Sequence, residues 1–201
     1  MPDEEFLEEY RQGLRDAIEW LSNENKRNRE IWVALRFLNL LDVSPLESEV
    51  SSVDDLAPDV LFRDARFEVK EFLMPDRRRT DEFKEALARA ESPTFTVDQA
   101  FEYFTPKDLT TEMILNDIFD RLPDWQKYEP RFRSSLDLLV YHNRDGHFFK
   151  AASSLPDASQ LASSGFRSVS VCNESFAWVL WASPTAPKWI ASQLGILRRG
   201  S

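Results

Sequence analysis

Cysteine and glycine are scarce in this 201-residue sequence, and long apolar runs are absent from it. The one cysteine, Cys172, excludes a disulfide within these residues and favours a reducing compartment. The longest apolar run, residues 176–182, is too short to cross a bilayer, and the acidic N-terminus does not resemble a signal peptide. With 42% apolar residues, the chain is not of disordered composition. These features predict a cytoplasmic protein without membrane association, folded as a single domain over residues 1–201.

Positive charge is also in deficit. The chain has 25 basic and 35 acidic residues, a net charge of −10, which argues against broad, non-specific adhesion to nucleic acid. Residues 1–25 alone carry eight acidic and two basic side chains, so this segment is suited to a protein partner. The remaining chain is closer to neutral and leaves room for a local basic surface. Its best candidate is the run Arg77, Arg78 and Arg79, whose planar guanidinium groups suit a phosphate backbone, although a solvated loop explains the run equally well.

Apolar periodicity and turn residues predict an alternation of helices and strands, and so a chain of the α/β (α+β) class. Helices are expected over residues 3–22, 29–42, 80–90, 106–121, 155–164 and 185–197, with a short one from residue 97. Strands are expected near residues 49–53, in a hairpin from 57 to 72, over 136–141, and as an antiparallel pair over 167–172 and 176–182.

The hairpin carries the chemistry. Its turn is expected at Asp64-Ala65, which places apolar side chains opposite one another, Val60 with Val69 and Phe62 with Phe67. Because side chains alternate along a strand, these four residues share one face. The other face carries three charged side chains: Asp59, Glu68 and Lys70.

Two converging carboxylates repel each other unless a cation lies between them. A set of oxygen ligands favours Mg²⁺, or Mn²⁺ as its substitute, over zinc. Lys70 would add a positive donor beside the ion, where a phosphate oxygen or an attacking water could lie. These groups are suited to metal-assisted hydrolysis of a phosphodiester. The alternative interpretation is a solvated face whose contacts, Asp59 with Lys70 and Arg66 with Glu68, are surface ion pairs.

Pro58-Asp59 followed by Glu68-Val69-Lys70 resembles the signature of the PD-(D/E)xK nuclease superfamily, to which the restriction endonucleases belong. The whole chain also resembles a small, uncharacterised bacterial family of candidate endonucleases assigned to that superfamily. The resemblance implies that Asp59, Glu68 and the Val69 carbonyl bind the metal and that Lys70 helps to activate water. It also implies a restriction-endonuclease-like core over about residues 26–143, with a central mixed sheet flanked by helices. The N-terminal helix and the C-terminal antiparallel pair are additions to that core.

Two further features bear on this site. In the resembled superfamily the helix before the hairpin often lends an acid to the metal; Glu30 is the candidate here, and an ordinary acid at a helix start is the alternative. A second formal match, Pro75-Asp76 with Glu82-Phe83-Lys84, is excluded because Glu82 and Lys84 lie on a predicted helix, where residues two apart point to different sides.

The sequence therefore favours a metal-dependent endonuclease, with DNA preferred to RNA as its substrate. The alternative is a non-catalytic relative that binds protein or nucleic acid as a regulatory module. A third candidate activity is hydrolysis of a small phosphorylated substrate, which an acidic surface tolerates better than a polynucleotide.

Overall fold

A computed structural model describes residues 3–53, 57–73, 78–101, 105–144, 146–150 and 154–200. Its helices are α1 (Asp3–Trp20), α2 (Lys26–Leu40), α3 (Arg79–Ala90), α4 (Val97–Ala100), α5 (Thr111–Trp125), α6 (Pro130–Arg133) and α7 (Lys188–Ala191). Its strands are β1 (Val50–Ser52), β2 (Val60–Phe62), β3 (Ala65–Leu73), β4 (Lys107–Leu109), β5 (Asp137–Asn143), β6 (His147–Phe149), β7 (Ser168–Cys172), β8 (Phe176–Ala182) and β9 (Leu197–Arg199). Short 3₁₀ helices cover Glu47–Glu49 and Ser159–Ser164.

The described residues form two compact units. The first contains α1, α3 and α4, together with the start of α2. Within it, Arg11 Nε donates to the Ala90 carbonyl at 2.9 Å, and the ring of Tyr10 stacks on that of Phe95 with 6.0 Å between centroids. The second unit contains the sheets and the rest of the helices, and the candidate site lies in it. The expectation that residues 1–201 fold as a single domain stays a prediction.

The second unit is built on a seven-stranded mixed sheet with the strand order β1-β2-β3-β5-β7-β8-β9. β3, β5 and β7 are parallel, and the other pairs in this sheet are antiparallel. β5 is central and buried on both faces, in agreement with its nearly continuous apolar sequence. The predicted mixed sheet flanked by helices is therefore confirmed, and so is the antiparallel pair, which forms β7 and β8.

Each face of the sheet packs on a different helix. α2 covers the face formed by the odd-numbered residues of β3, and Phe37 contacts the ring of Phe67 edge-on with 5.9 Å between centroids. α5 covers the opposite face, where Ile114 and Ile118 pack with Leu138 of β5. Since residues of β3 alternate between faces, Glu68, Lys70 and Phe72 lie on the α5 face.

The hairpin register differs from the prediction by two residues. Val60 pairs with Phe67 and Phe62 with Ala65, so the turn is Arg63-Asp64, with Arg63 in the left-handed region at φ = 53°. A shift of two preserves the alternation of faces. The apolar face is accordingly buried as predicted: Val60, Phe62, Phe67 and Val69 are 0–8% exposed.

Three predicted helices are wrong in part. The helix predicted over 155–164 is limited to the 3₁₀ helix Ser159–Ser164. The segment after Thr105 first forms β4, which pairs with β6, and α5 begins only at Thr111, capped by the Thr110 hydroxyl, which accepts from the Met113 N–H. The predicted C-terminal helix is limited to α7, and β9 follows it as the edge strand of the large sheet. β4 and β9 each pair with a strand distant in sequence, β6 and β8 respectively, and the local sequence pattern does not indicate such pairing.

Asp137 joins the N-terminal ends of the parallel strands. It is fully buried, and its carboxylate accepts from the Arg66 N–H at 2.9 Å, the Ser168 hydroxyl at 2.7 Å and Arg167 Nε at 3.1 Å. Arg167 Nη2 reaches the same carboxylate and donates to the Asp64 carbonyl at 2.8 Å. A buried carboxylate with this many donors ties β5 and β7 to the hairpin turn.

In the parts of the chain that the structure describes, no helix combines the length and apolar character needed to span a membrane.

Candidate active site

The hairpin brings Asp59, Glu68 and Lys70 together. The Asp59 N–H donates to the Phe67 carbonyl at 2.8 Å, so Asp59, which directly precedes β2, is held against β3. Glu68 and Lys70 are two residues apart on β3 and so project from the same face.

Lys70 contacts both carboxylates. Its ammonium group makes a close hydrogen bond to Glu68 Oε1, lies 3.7 Å from Asp59 Oδ2, and donates to the Val69 carbonyl at 3.0 Å. Asp59 Oδ2 also accepts from the Val69 N–H at 2.9 Å. Asp59, Glu68, Lys70 and the Val69 carbonyl are thus within one connected set of contacts.

The charged face of the hairpin is not a solvated surface. The side chain of Glu68 is 1% exposed, against 21% for Lys70 and 16% for Asp59. Burial of an ionised carboxylate costs several kcal/mol unless a charge and hydrogen bonds compensate it. A surface ion pair between Arg66 and Glu68, the alternative interpretation of the sequence, therefore does not describe this carboxylate, which is bound by Lys70 and by a second donor.

That second donor is Tyr128, which sequence reasoning missed. Its hydroxyl donates to Glu68 Oε1 at 2.6 Å. Burial raises the pKa of Tyr128, and the hydrogen bond to Glu68 and the negative charges of Glu68 and Asp59 raise it further, so the hydroxyl remains a donor. Tyr128 lies in the loop after α5, and no local motif connects it to a strand 60 residues away.

Arg133 of α6 holds the Tyr128 loop. Its guanidinium donates to the Gln126 carbonyl at 2.8 Å and to the Tyr128 carbonyl at 3.4 Å. The Tyr128 ring also contacts Phe132 edge-on, with 5.7 Å between centroids. The loop is therefore fixed at its backbone and through a side chain, which limits where the Tyr128 hydroxyl can lie.

The donor atoms of the site suit a hard divalent cation. Glu68 Oε2 is buried and has no hydrogen-bond partner among the described residues, which is the state expected of an oxygen that binds a ligand. Asp59 and the Val69 carbonyl add two further oxygens nearby. Within the described ranges, however, no three His, Cys, Asp or Glu side chains are grouped to hold a metal ion. The set is two carboxylates and one carbonyl.

Glu30 is not grouped with these two carboxylates among the described residues. It is buried on α2, on the stripe that includes Val33, Ala34 and Phe37, and this stripe packs on the odd-numbered face of β3. Glu68 and Lys70 project from the other face. The predicted supporting ligand thus lies on a helix that covers the opposite side of the sheet.

The predicted arginine run is described in part. Arg77 lies outside the described residues. The side chain of Arg78 is 84% exposed and lies 3.9 Å from Asp81, and Arg79 is the first residue of α3. Both belong to the first compact unit, whereas Asp59, Glu68 and Lys70 belong to the second.

A family model described as "Putative endonuclease, protein of unknown function (DUF1780)" matches residues 2–199. The match spans almost the whole chain, and the chain belongs to this family. The family description agrees with the nuclease expectation at a coarse level and does not extend to the PD-(D/E)xK superfamily. A comparison with curated proteins gives no match.

Among solved structures, the fold is similar to that of PA4535 from Pseudomonas aeruginosa strain PAO1, a protein of unknown function described under the monooxygenase superfamily. The TM-score is 0.67 at 24% sequence identity, over 100% of this chain and 97% of that one. At this identity the similarity shows a shared fold, and the oxygenase description stays with that protein.

Proposed function

We propose that this member of the family is a metal-dependent endonuclease with a restriction-endonuclease-like core, in which Asp59, Glu68 and Lys70 form the catalytic set. The observation that carries the proposal is the environment of Glu68: a buried carboxylate with one oxygen bound by Lys70 and Tyr128 and the other without a partner among the described residues. A carboxylate that only stabilised the fold would be expected to have both oxygens satisfied.

Asp59, Glu68 and the Val69 carbonyl would hold Mg²⁺, or Mn²⁺ in its place. When bound, a divalent ion supplies Lewis-acid stabilisation of the negative charge that develops on a phosphodiester. The Val69 N–H orients Asp59, and Tyr128 with Lys70 orients Glu68, so the oxygens are positioned before the substrate arrives. Glu30, on α2, stays a predicted supporting ligand outside this set.

Lys70 acts on the substrate. Its side chain is 21% exposed and both carboxylates lie against its ammonium group, which can donate to a non-bridging phosphate oxygen and orient the attacking water. The substrate class is nucleic acid, with DNA favoured over RNA through the resemblance to the restriction endonucleases. The proposed location is the cytoplasm, consistent with a single buried cysteine.

The test is a cleavage panel in Mn²⁺ on supercoiled, linear and single-stranded DNA and on RNA. Wild-type protein should cleave at least one substrate, and Asp59→Ala and Lys70→Ala should each lower the rate by at least about 100-fold while circular dichroism stays native. Lys188→Ala is the control, because Lys188 begins α7, whose residues Trp189 and Ile190 pack on the odd-numbered face of the sheet. Cleavage by the Lys70→Ala protein at the wild-type rate would refute the proposed mechanism.

A non-catalytic binding module is the second candidate. The observation in its favour is that Lys70 already contacts both carboxylates and neutralises part of their charge without an ion. The acidic α1, with Asp3, Glu4 and Glu5 in its first turn, would then face a protein partner. Calorimetry with Mn²⁺ separates the two, since only the nuclease predicts binding that is lost in Glu68→Ala.

A further inference from the structure

Two arginines from different elements meet at one aromatic ring. The guanidinium carbon of Arg121, on α5, lies 6.0 Å from the centroid of Phe72, and that of Arg144, just after β5, lies 5.9 Å from it. Two like charges at one ring repel each other, and the chain as a whole is acidic. An anion bound between the two guanidinium groups would relieve this repulsion.

The local carboxylates only partly neutralise this pair. Asp117 Oδ1 accepts from Arg144 Nη2 at 2.8 Å, but its other oxygen lies 2.8 Å from His142 Nε2, so one buried carboxylate serves two partners. Arg121 lies 3.6 Å from Asp124 in a pair whose side chains are 42% and 68% exposed, and such pairs contribute little.

The charge of Arg144 also acts on His147 of β6. Burial lowers its pKa, and the charges of Arg144 and Lys107 lower it further, whereas Asp117 acts in the opposite direction. The charge of Arg144 therefore acts on β6 as well as on the ring of Phe72.

The arginine pair is aligned with the candidate site. Phe72 follows Lys70 by two residues on β3 and projects from the same face, which corresponds to a distance of about 7 Å along the strand. The ring is held flat against His142, with 4.9 Å between centroids and 2° between planes. The cations therefore lie beyond Lys70 along the strand, next to the position proposed for the scissile phosphate.

We propose that Arg121 and Arg144 form a second phosphate-binding position, which holds a backbone phosphate adjacent to the one at Lys70. The inference rests on the proposed nuclease function and deepens it. A guanidinium group can donate two hydrogen bonds to the oxygens of one phosphate. Contacts of this kind with the backbone fix the position of a nucleic acid without reading its sequence. Arg121 and Arg144 belong to the same compact unit as the catalytic set and would add to the backbone contacts predicted for the arginine run at 77–79.

The test is equilibrium binding of fluorescent duplex DNA, single-stranded DNA and RNA, followed by anisotropy in EDTA across a salt series. Arg121→Gln and Arg144→Gln should each weaken binding about tenfold and reduce the slope of log K against log salt by about 0.7–0.9. In the double variant, the losses of affinity and the reductions of the slope should add. Lys188→Gln, from the opposite sheet face, is the charge-matched control and should bind as the wild type.

Arg121→Gln keeps the test decisive if Arg144→Gln fails to fold, because the carboxylate that pairs with Arg121 among the described residues, Asp124, is 68% exposed. Wild-type binding with an unchanged affinity and slope in Arg121→Gln would overturn the second phosphate position and leave the nuclease proposal standing. A wild-type protein that neither binds nor cleaves any probe would overturn both.

Discussion

The Tyr128 hydroxyl donates to Glu68 Oε1 at 2.6 Å and so joins a loop to β3 across 60 residues of sequence. Lys70 donates to the same oxygen. The two donors restrain the carboxylate through Oε1, while Oε2 is buried without a hydrogen-bond partner among the described residues. The site thus depends on a residue that is neither acidic nor part of the hairpin.

Removal of this donor should weaken metal binding. We expect Tyr128→Phe to lower Mn²⁺ affinity about tenfold, as loss of an outer-sphere hydrogen bond commonly does, and to lower the free energy of unfolding by about 1–3 kcal/mol because Glu68 loses a charge-assisted bond. Calorimetry and urea unfolding measure the two effects. Tyr10→Phe, in the first compact unit, is the matched control and should change neither. Wild-type Mn²⁺ affinity in Tyr128→Phe would show that the phenol does not position Glu68.

Gly165 lies next to Arg133, the side chain that binds the Tyr128 loop. It adopts φ = +76°, and a methyl group there would lie 2.9 Å from Arg133 Nε. Gly165→Ala should therefore cost both the left-handed backbone strain, about 1 kcal/mol, and a displacement of Arg133. Gly195→Ala isolates the backbone term, because Gly195 has φ = +71° and a methyl group there would meet no atom within 4 Å. We expect urea unfolding to show a clearly larger loss of unfolding free energy for Gly165→Ala than for Gly195→Ala. Equal losses would mean that displacing the Arg133 side chain costs no free energy.

His147 makes stability depend on pH. Its pKa is lowered in the fold, first by burial and then by Arg144 and Lys107, whereas the unfolded chain titrates near pH 6.5. The unfolded state therefore binds more protons between the lowered pKa and about pH 6.5, so stability falls as the pH falls through that window. His147→Asn should flatten this part of the profile in urea unfolding. An NMR titration that placed the His147 pKa above 6.5 would contradict the assignment, and Arg144→Gln should raise it.

Cys172 should be chemically silent in the folded protein. It is fully buried on β7, and burial raises the pKa of its thiol well above the ordinary range, so the reactive thiolate is suppressed. We expect no labelling by a disulfide-exchange reagent over hours in buffer and complete labelling in urea. Rapid labelling under native conditions would reveal local opening of β7.

Strand alternation made the core of the site predictable. The predicted hairpin register is wrong by two residues, yet Asp59, Glu68 and Lys70 still share a face because an even shift keeps every side chain on its side of the sheet. β5 was predictable for a related reason, since a strand covered on both faces needs apolar residues at every position.

Contacts distant in sequence were beyond reach. Tyr128 lies in a polar loop, and nothing nearby signals its bond to Glu68. Thr105-Pro106 satisfies the local rules for a helix start, but the pairing of β4 with β6 displaces that start to Thr111. Arg121 and Arg144 are isolated in the sequence and meet only through the fold, whereas the run at 77–79 attracts attention because it is continuous.

The buried carboxylate of Asp137 limits where the chain can be truncated without loss of folding. A stop codon after residue 143 would retain the hairpin, β5 and the whole catalytic set, but would delete Arg167 and Ser168, the side chains that bind Asp137. The fragment would hold a carboxylate in its interior without its counter-charge, at a cost of about 3–5 kcal/mol, a large part of the roughly 5–15 kcal/mol by which folded proteins are stable. The nuclease-like segment is therefore not an excisable module, and the C-terminal strands are a condition for its folding.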